Sequence, residues 1–217
     1  MKAGTDAVLL GAIADTTNSH SILDVGTGSG IIALMLAQRC DAIITAIDIH
    51  PQSITQAALN FKESPWHSRL SAIESSVQKY ADQGKQFDLI VSNPPYFSNS
   101  LKSATENRNF ARHDDNLDFL TLVQCVNKML TPNGKFICII PEMDTMRMNG
   151  YCAENNLFPS HQTFIHPKPE SLANRVIITF TRNNSTAIEI VHFVVRNNDN
   201  SYSDQYLQVT KDFHPWL

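Results

Sequence analysis

No stretch of this 217-residue chain stays apolar for the roughly 20 positions that a membrane-spanning helix needs, because Asp, Asn or Gly interrupts the longest runs. A soluble protein is therefore expected. The run Val8-Leu9-Leu10-Gly11-Ala12-Ile13-Ala14 is too short for a signal peptide core and is bracketed by Asp6 and Asp15, so it reads as a helix of the fold. Closely spaced cysteine pairs are also missing. Cys40, Cys125, Cys138 and Cys152 stand apart in apolar surroundings, which excludes a disulfide framework and points to buried, reduced thiols in the cytoplasm. Basic charge is scarce as well: 17 Lys+Arg against 21 Asp+Glu leave a net charge of −4, which excludes a broadly basic nucleic-acid surface. Contacts with phosphates would have to come from a local cluster, for which Lys102, Arg108, Arg112, His113, His166, Lys168 and Arg175 are the candidates. Internal repeats and low-complexity tracts are absent, so residues 1–217 read as a single domain with one core.

What is present is an alternation of short β-rich runs with helix-like stretches, the pattern of an α/β, doubly wound, Rossmann-like parallel sheet. Strands are expected at Ser21–Val25, Ile43–Asp48, Arg69–Glu74, Phe87–Ser92 and Gly134–Ile140. Helices are expected at Ile31–Arg39, Gln52–Lys62 behind Pro51, Asn116–Leu130 and Glu142–Asn155. Thr163–His166 and Arg175–Thr181 read as an antiparallel hairpin at one sheet edge, and Ala187–Val195 as one further strand, mostly apolar on both faces.

Three constellations carry chemistry. In the first, the run Ile22-Leu23-Asp24-Val25 leads directly into Gly26-Thr27-Gly28-Ser29-Gly30 and then an apolar helix. Glycines at such a turn let the backbone approach a ligand, and the helix start adds oriented N–H groups. A plain strand-to-helix turn would look similar, but Asp24 argues further. Its carboxylate would repel a pyrophosphate and suit the ammonium and sulfonium of S-adenosylmethionine. In the second, Asp48 ends the next strand about 20 residues on, where an acid can accept from both ribose hydroxyls; the competing reading is a cap for the helix at Pro51. Ser76, after the third strand, is the polar candidate for the adenine.

The third is Asn93-Pro94-Pro95-Tyr96 after the fourth strand. The nitrogen of an aminopurine or an amide is a poor nucleophile because its lone pair is delocalised. The Asn93 side-chain oxygen and the Pro94 carbonyl could accept both of its N–H protons, draw it towards tetrahedral geometry and stabilise the positive charge that develops on methylation. Tyr96 offers a ring to stack on a flat substrate, with Pro95 and Phe97 beside it and Arg112 available to the substrate. A rigid Pro-Pro turn with a packed tyrosine is the structural alternative. No metal is expected, since His50, His67 and His113 read as surface or capping residues.

These features together resemble the class I S-adenosylmethionine-dependent methyltransferases, and the Asn93–Tyr96 loop is similar to that of their amino- and amide-methylating branch. Within it, Met1–Ala12, Ala111-Arg112-His113-Asp114 and Tyr206–Phe213 resemble segments of the bacterial tRNA1(Val) adenine-N6 methyltransferase family. The resemblance implies seven strands with the last antiparallel, S-adenosylmethionine as cofactor, and tRNA as partner with an extruded adenine, position 37 beside the anticodon. It also implies that Gly4 and Thr5 line the methionine end of the cofactor with Asp24, Gly26, Gly28 and Gly30, that Asp48 takes the ribose, and that Asn93 touches cofactor as well as base. Two departures stand out: Ser76 replaces an Asp common in relatives, and the chain opens directly on Lys2–Asp6, where relatives usually have upstream residues, which suggests a shortened start.

A glutamine-N5 methyltransferase acting on a peptide-release factor would use the same loop but is expected to carry a helical domain before Asp24. A DNA adenine methyltransferase would add a target-recognition segment, and a non-catalytic cofactor- or RNA-binding subunit would have no use for Asn93–Tyr96. An oxidoreductase would not place Asp24 against a pyrophosphate.

Overall fold

The structure, a computed structural model, describes residues 4–95, 118–184 and 187–213. The strands are β1 Ser21–Val25, β2 Ile43–Asp48, β3 Leu70–Glu74, β4 Phe87–Ser92, β5 Leu130–Pro141, β6 Phe158–His166, β7 Arg175–Thr181 and β8 Glu189–Val194. The helices are α1 Thr5–Ile13, α2 Ile31–Arg39, α3 Pro51–Glu63, α4 Val77–Ala81, α5 Phe119–Met129, α6 Thr145–Glu154 and α7 Asp204–Thr210. Strands β1, β2, β4 and β7 have the bounds expected from sequence. Each is a compact apolar run, and helices on both faces of the sheet leave it no polar side to blur the pattern.

The strands form one sheet in the order β3-β2-β1-β4-β5-β7-β6-β8. Direction is parallel from β3 to β5, β7 runs antiparallel to both its neighbours, and β8 is parallel to β6. Two expectations are corrected. The sheet has eight strands rather than seven, and the β6–β7 hairpin is not its edge. Glu189–Val194 docks parallel beside β6 because Phe193 is buried there with Ile165, in the core layer of α1 and α7. At the open side of β8 the Gln205 amide accepts from Val194 N and donates to His192 O, satisfying backbone groups that a next strand would otherwise take.

Alternation along the strands divides the core. Leu23, Val25 and Ile90 face α4, α5 and α6, while Ile22, Leu89 and Val91 face α1, α2, α3 and α7. Chain order reverses between β1 and β4, so the connections leaving their carboxyl ends part to opposite faces and open a crevice there. Cys125, Cys138 and Cys152 are buried free thiols as expected; Cys40, at the end of α2, is only half-buried. Among the described residues no helix is long and apolar enough to cross a membrane.

Candidate active site

In the parallel register Val25 pairs with Ile47 on one side and Ser92 on the other, so Gly26, Asp48 and Asn93 follow at one level of the sheet. Ser92 fixes that level: its buried hydroxyl donates to Val25 O at 2.9 Å. The glycine turn is held from β2, where Ile47 O accepts from Gly26 N at 2.9 Å and from Thr27 N at 3.0 Å. Gly26, Gly28 and Gly30 all have positive φ, the left-handed region that glycine enters without steric cost. Their bareness serves different ends. A Cβ on Gly26 or Gly28 would meet nothing within 4 Å, whereas one on Gly30 would lie 2.5 Å from the Phe61 ring. The first two leave open space for a ligand; the third lets α3 pack against the turn.

Asp24 is fully buried beneath this turn. Its Oδ2 accepts from the Thr27 hydroxyl at 2.6 Å, but its Oδ1 makes no hydrogen bond of standard geometry. Burial pushes the carboxyl up to about 7, against the downward pull of the Thr27 hydroxyl and the Ala33 N–H, and the neighbouring Asp48 charge adds to the rise. A buried carboxylate oxygen without a standard hydrogen bond carries a desolvation cost, and it lies beside bare glycines.

Asp48 is engaged on both oxygens, Oδ2 by Gly28 N and Oδ1 by His50 N, each at 2.9 Å. It therefore splints the glycine turn to the start of α3 and keeps a spare lone pair on each oxygen. Ser76 is the N-cap of α4, its Oγ accepting from Lys79 N at 3.3 Å. Gly4 is the N-cap of α1 and Thr5 its first residue, both exposed. The Arg175 Nε donation to Asp6 Oδ2 at 3.0 Å ties that helix start to β7, level with Pro141 at the carboxyl end of β5. The N-terminal motif thus lies on the same sheet edge as the glycine turn. Asp6 and Ser92, which position the other groups, were not among the sequence candidates; a lone Asp in a helix's first turn and a Ser ending an apolar strand were the signals available.

Asn93 is half-buried, Pro94 buried and Pro95 exposed. Tyr96, Phe97 and Arg112, together with Lys102, Arg108 and His113, lie outside the described residues. His166, Lys168 and Arg175 flank the β6–β7 connection on the same sheet edge, but Arg175 is paired with Asp6 and Lys168 donates to Asn198 O at 3.4 Å. No group of three or more potential metal ligands occurs among the described residues.

A doubly wound sheet with a glycine turn, an acid below it and a second acid across it is the arrangement of a class I methyltransferase. The methyltransferase small domain model matches residues 3–146, and the chain belongs to that family. Over 218 residues it is 39% identical to the tRNA1(Val) (adenine(37)-N6)-methyltransferase of Bacteroides fragilis, covering 99% of this chain and 91% of that protein. The identically named protein of Phocaeicola vulgatus is 42% identical over 214 residues, with coverage of 99% and 91%. Among solved structures, a predicted O-methyltransferase from Agrobacterium tumefaciens superposes with a TM-score of 0.71 at 18% identity, covering 95% of this chain and 96% of that one. The glycopeptide N-methyltransferase MtfA, complexed with S-adenosylmethionine, gives a TM-score of 0.61 at 13% identity, covering 83% and 95%. At these identities the structural likeness concerns the fold.

Proposed function

We propose that this protein, acting as a single methyltransferase domain in the cytoplasm, transfers the methyl group of S-adenosylmethionine to N6 of adenine 37 in tRNA1(Val). The observation that carries the reading is the pairing of Val25 with Ser92, which sets Asn93-Pro94-Pro95 directly beside the Gly26–Gly30 turn. The names and near-complete coverage of the relatives support the substrate.

The donor set suits the cofactor. Asp24 Oδ1 makes no hydrogen bond of standard geometry and would take the ammonium; the open space at Gly26 and Gly28 admits close approach; Asp48 has lone pairs left for the ribose hydroxyls. Gly4 and Thr5 would close the methionine end and Ser76 would lie towards the adenine. Bound there, S-adenosylmethionine supplies an electrophilic methyl group. The work of this chain is on the acceptor: the Asn93 carboxamide oxygen and the Pro94 carbonyl accept the two N6 protons and stabilise charge as it develops on nitrogen. Tyr96 and Phe97 would stack on the extruded base beside Pro95, Arg112 would meet the RNA, and the released proton goes to water.

The test is transfer of labelled methyl from S-adenosylmethionine to tRNA lacking the modification, followed by nucleoside analysis, with a purified peptide-release factor assayed in parallel. N6-methyladenosine in tRNA1(Val) is the expected product. Label confined to glutamine of the release factor would overturn the reading.

A further inference from the structure

The helix α3 begins without a conventional cap. His50 occupies the N-cap position with no side-chain hydrogen bond, and Pro51 follows at the first helical position. Helix starts leave N–H groups unpaired; here His50 N is taken by Asp48, Pro51 has none, and Ile54 N bonds His50 O. The N–H groups of Gln52 and Ser53 remain without partners among the described residues.

An open cavity of about 760 Å³ lies against this helix start, lined by His50, Pro51, Gln52, Ser53 and Gln56. Ser53 is only 7% exposed, lines the cavity and makes no hydrogen bond through its hydroxyl. A polar side chain on so buried a residue ordinarily has a partner, and here the cavity is what it can meet. Two main-chain N–H groups, this hydroxyl, the Gln52 and Gln56 amides and the positive end of a 13-residue helix therefore surround one space. The helix is fixed in place: Asn60 Nδ2 donates to Ser29 O at 2.8 Å, and Phe61 occupies the space beside Gly30. Asp48, two residues before His50, has both oxygens turned to backbone N–H groups.

We propose that this helix start is a phosphodiester site that grips the RNA backbone beside the extruded base; the inference rests on the RNA-methylation reading above. The position fits. The cavity opens at the carboxyl end of β2, two strand spacings or about 10 Å from the end of β4 that carries Asn93, within reach of the nucleotides flanking the target. The lining carries no carboxylate, and a protein of net charge −4 draws little on long-range attraction, so a built phosphate site supplies what a basic surface would otherwise provide.

The experiment compares wild type with Gln52→Glu and Ser53→Asp. Acids at these early helix positions favour the helix dipole, and Gln52 is exposed, so at least that variant folds normally while presenting a negative charge to the phosphate. Binding of an unmodified tRNA1(Val) transcript is measured by fluorescence anisotropy across a salt series, and S-adenosylmethionine binding by calorimetry. Each variant is expected to bind the transcript about tenfold more weakly. The slope of log affinity against log salt should flatten by about 0.7 to 0.9, because the introduced negative charge offsets about one unit of positive charge facing the phosphates. Cofactor affinity should not change. Unchanged transcript affinity and slope in both variants would overturn the proposal, as would a fall in cofactor affinity, which would make the cavity part of the cofactor site. Inorganic phosphate that shifts the Ser53 amide resonance while the transcript leaves it unmoved would also overturn it, assigning a free-anion site instead. A wild-type protein that binds no transcript would remove the RNA reading itself.

Discussion

The two edges of the parallel sheet treat their polar groups in opposite ways. At the amino edge, Asp88 accepts from His20 N, Ser21 N, Ser21 Oγ and Thr131 Oγ1, tying the starts of β1, β4 and β5 together. Arg39 donates to Gly11 O and Ala14 O at the end of α1, and Arg69 to Ala37 O, Cys40 O and Ala42 O at the end of α2. At the carboxyl edge Asp24 keeps a buried oxygen without a standard hydrogen bond, Gly26 and Gly28 leave space, and α3 starts with unmade hydrogen bonds. Both edges are built from the same residue types. The amino edge directs Asp88, Arg39 and Arg69 to neighbouring backbone and hydroxyl groups, which yields stability; the carboxyl edge keeps one buried carboxylate oxygen without a standard hydrogen bond, which costs stability.

The contrast is broken most severely at Asn93. Asn93→Ala is expected to lower single-turnover methyl transfer by a factor of about 10² to 10³, the range for loss of one group aimed at developing charge, while calorimetry shows S-adenosylmethionine still bound. Near-normal transfer would mean that nothing on the carboxyl edge beyond the cofactor pocket is poised for the acceptor.

Asp24 sharpens the comparison through pH. Its folded pKa, about 7, lies above the ordinary 3.8, so the ligand-free protein holds a proton there that the unfolded chain has released. Its contribution therefore favours folding below about pH 4 and is lost as pH rises towards and through about 7. Asp24→Asn should flatten that part of the melting-temperature profile and weaken S-adenosylmethionine binding about tenfold or more. A pH profile identical to wild type would show that the carboxyl is not the strained group. At the other edge the expected signs reverse. Asp88→Ala strands several donors and should cost about 2 kcal/mol in urea unfolding, with cofactor affinity unchanged.

Much of this division could be read from the sequence, and the remainder has identifiable physical causes. The strand ends at Val25, Asp48 and Ser92 were legible because apolar runs stop there at residues that must face a crevice. β6 was read too short, since Phe158-Pro159-Ser160-His161-Gln162 has no apolar alternation and its pairing with β7 shifts between Pro159 and His161. Its place between β7 and β8 depends on long-range pairing that no local pattern encodes. Asp24, Asp48 and Asn93 could be singled out by type and position. The lone oxygen of Asp24, the Phe61 ring beside Gly30 and the capping by Ser76 are matters of packing, visible only once the helices are docked. The open start of α3 did carry a signal: His50 before Pro51, where Ser, Thr, Asp or Asn would have capped the helix.

The smallest expected effect tests the amino edge at its periphery. Lys135 pairs with Asp15, with side chains 27% and 52% exposed. Partial burial alone would raise the Asp15 carboxyl, but donation from Lys135 and Thr17 outweighs it and lowers the pKa to about 2. The sign is opposite to that of Asp24: the contribution is present above the ordinary 3.8 and disappears as pH falls towards about 2. Lys135→Met keeps the apolar stem and removes the charge. It should cost no more than about 0.5 to 1 kcal/mol near neutral pH, less at high salt because the pair is exposed to solvent. Below about pH 2 the variant and wild type should converge, because Asp15 is protonated in both. Stability curves that stay parallel down to that pH would show that Lys135 acts through packing of its stem rather than through Asp15. The amino edge would then owe its stability to the backbone-directed bonds of Asp88, Arg39 and Arg69 and not to its exposed ion pair.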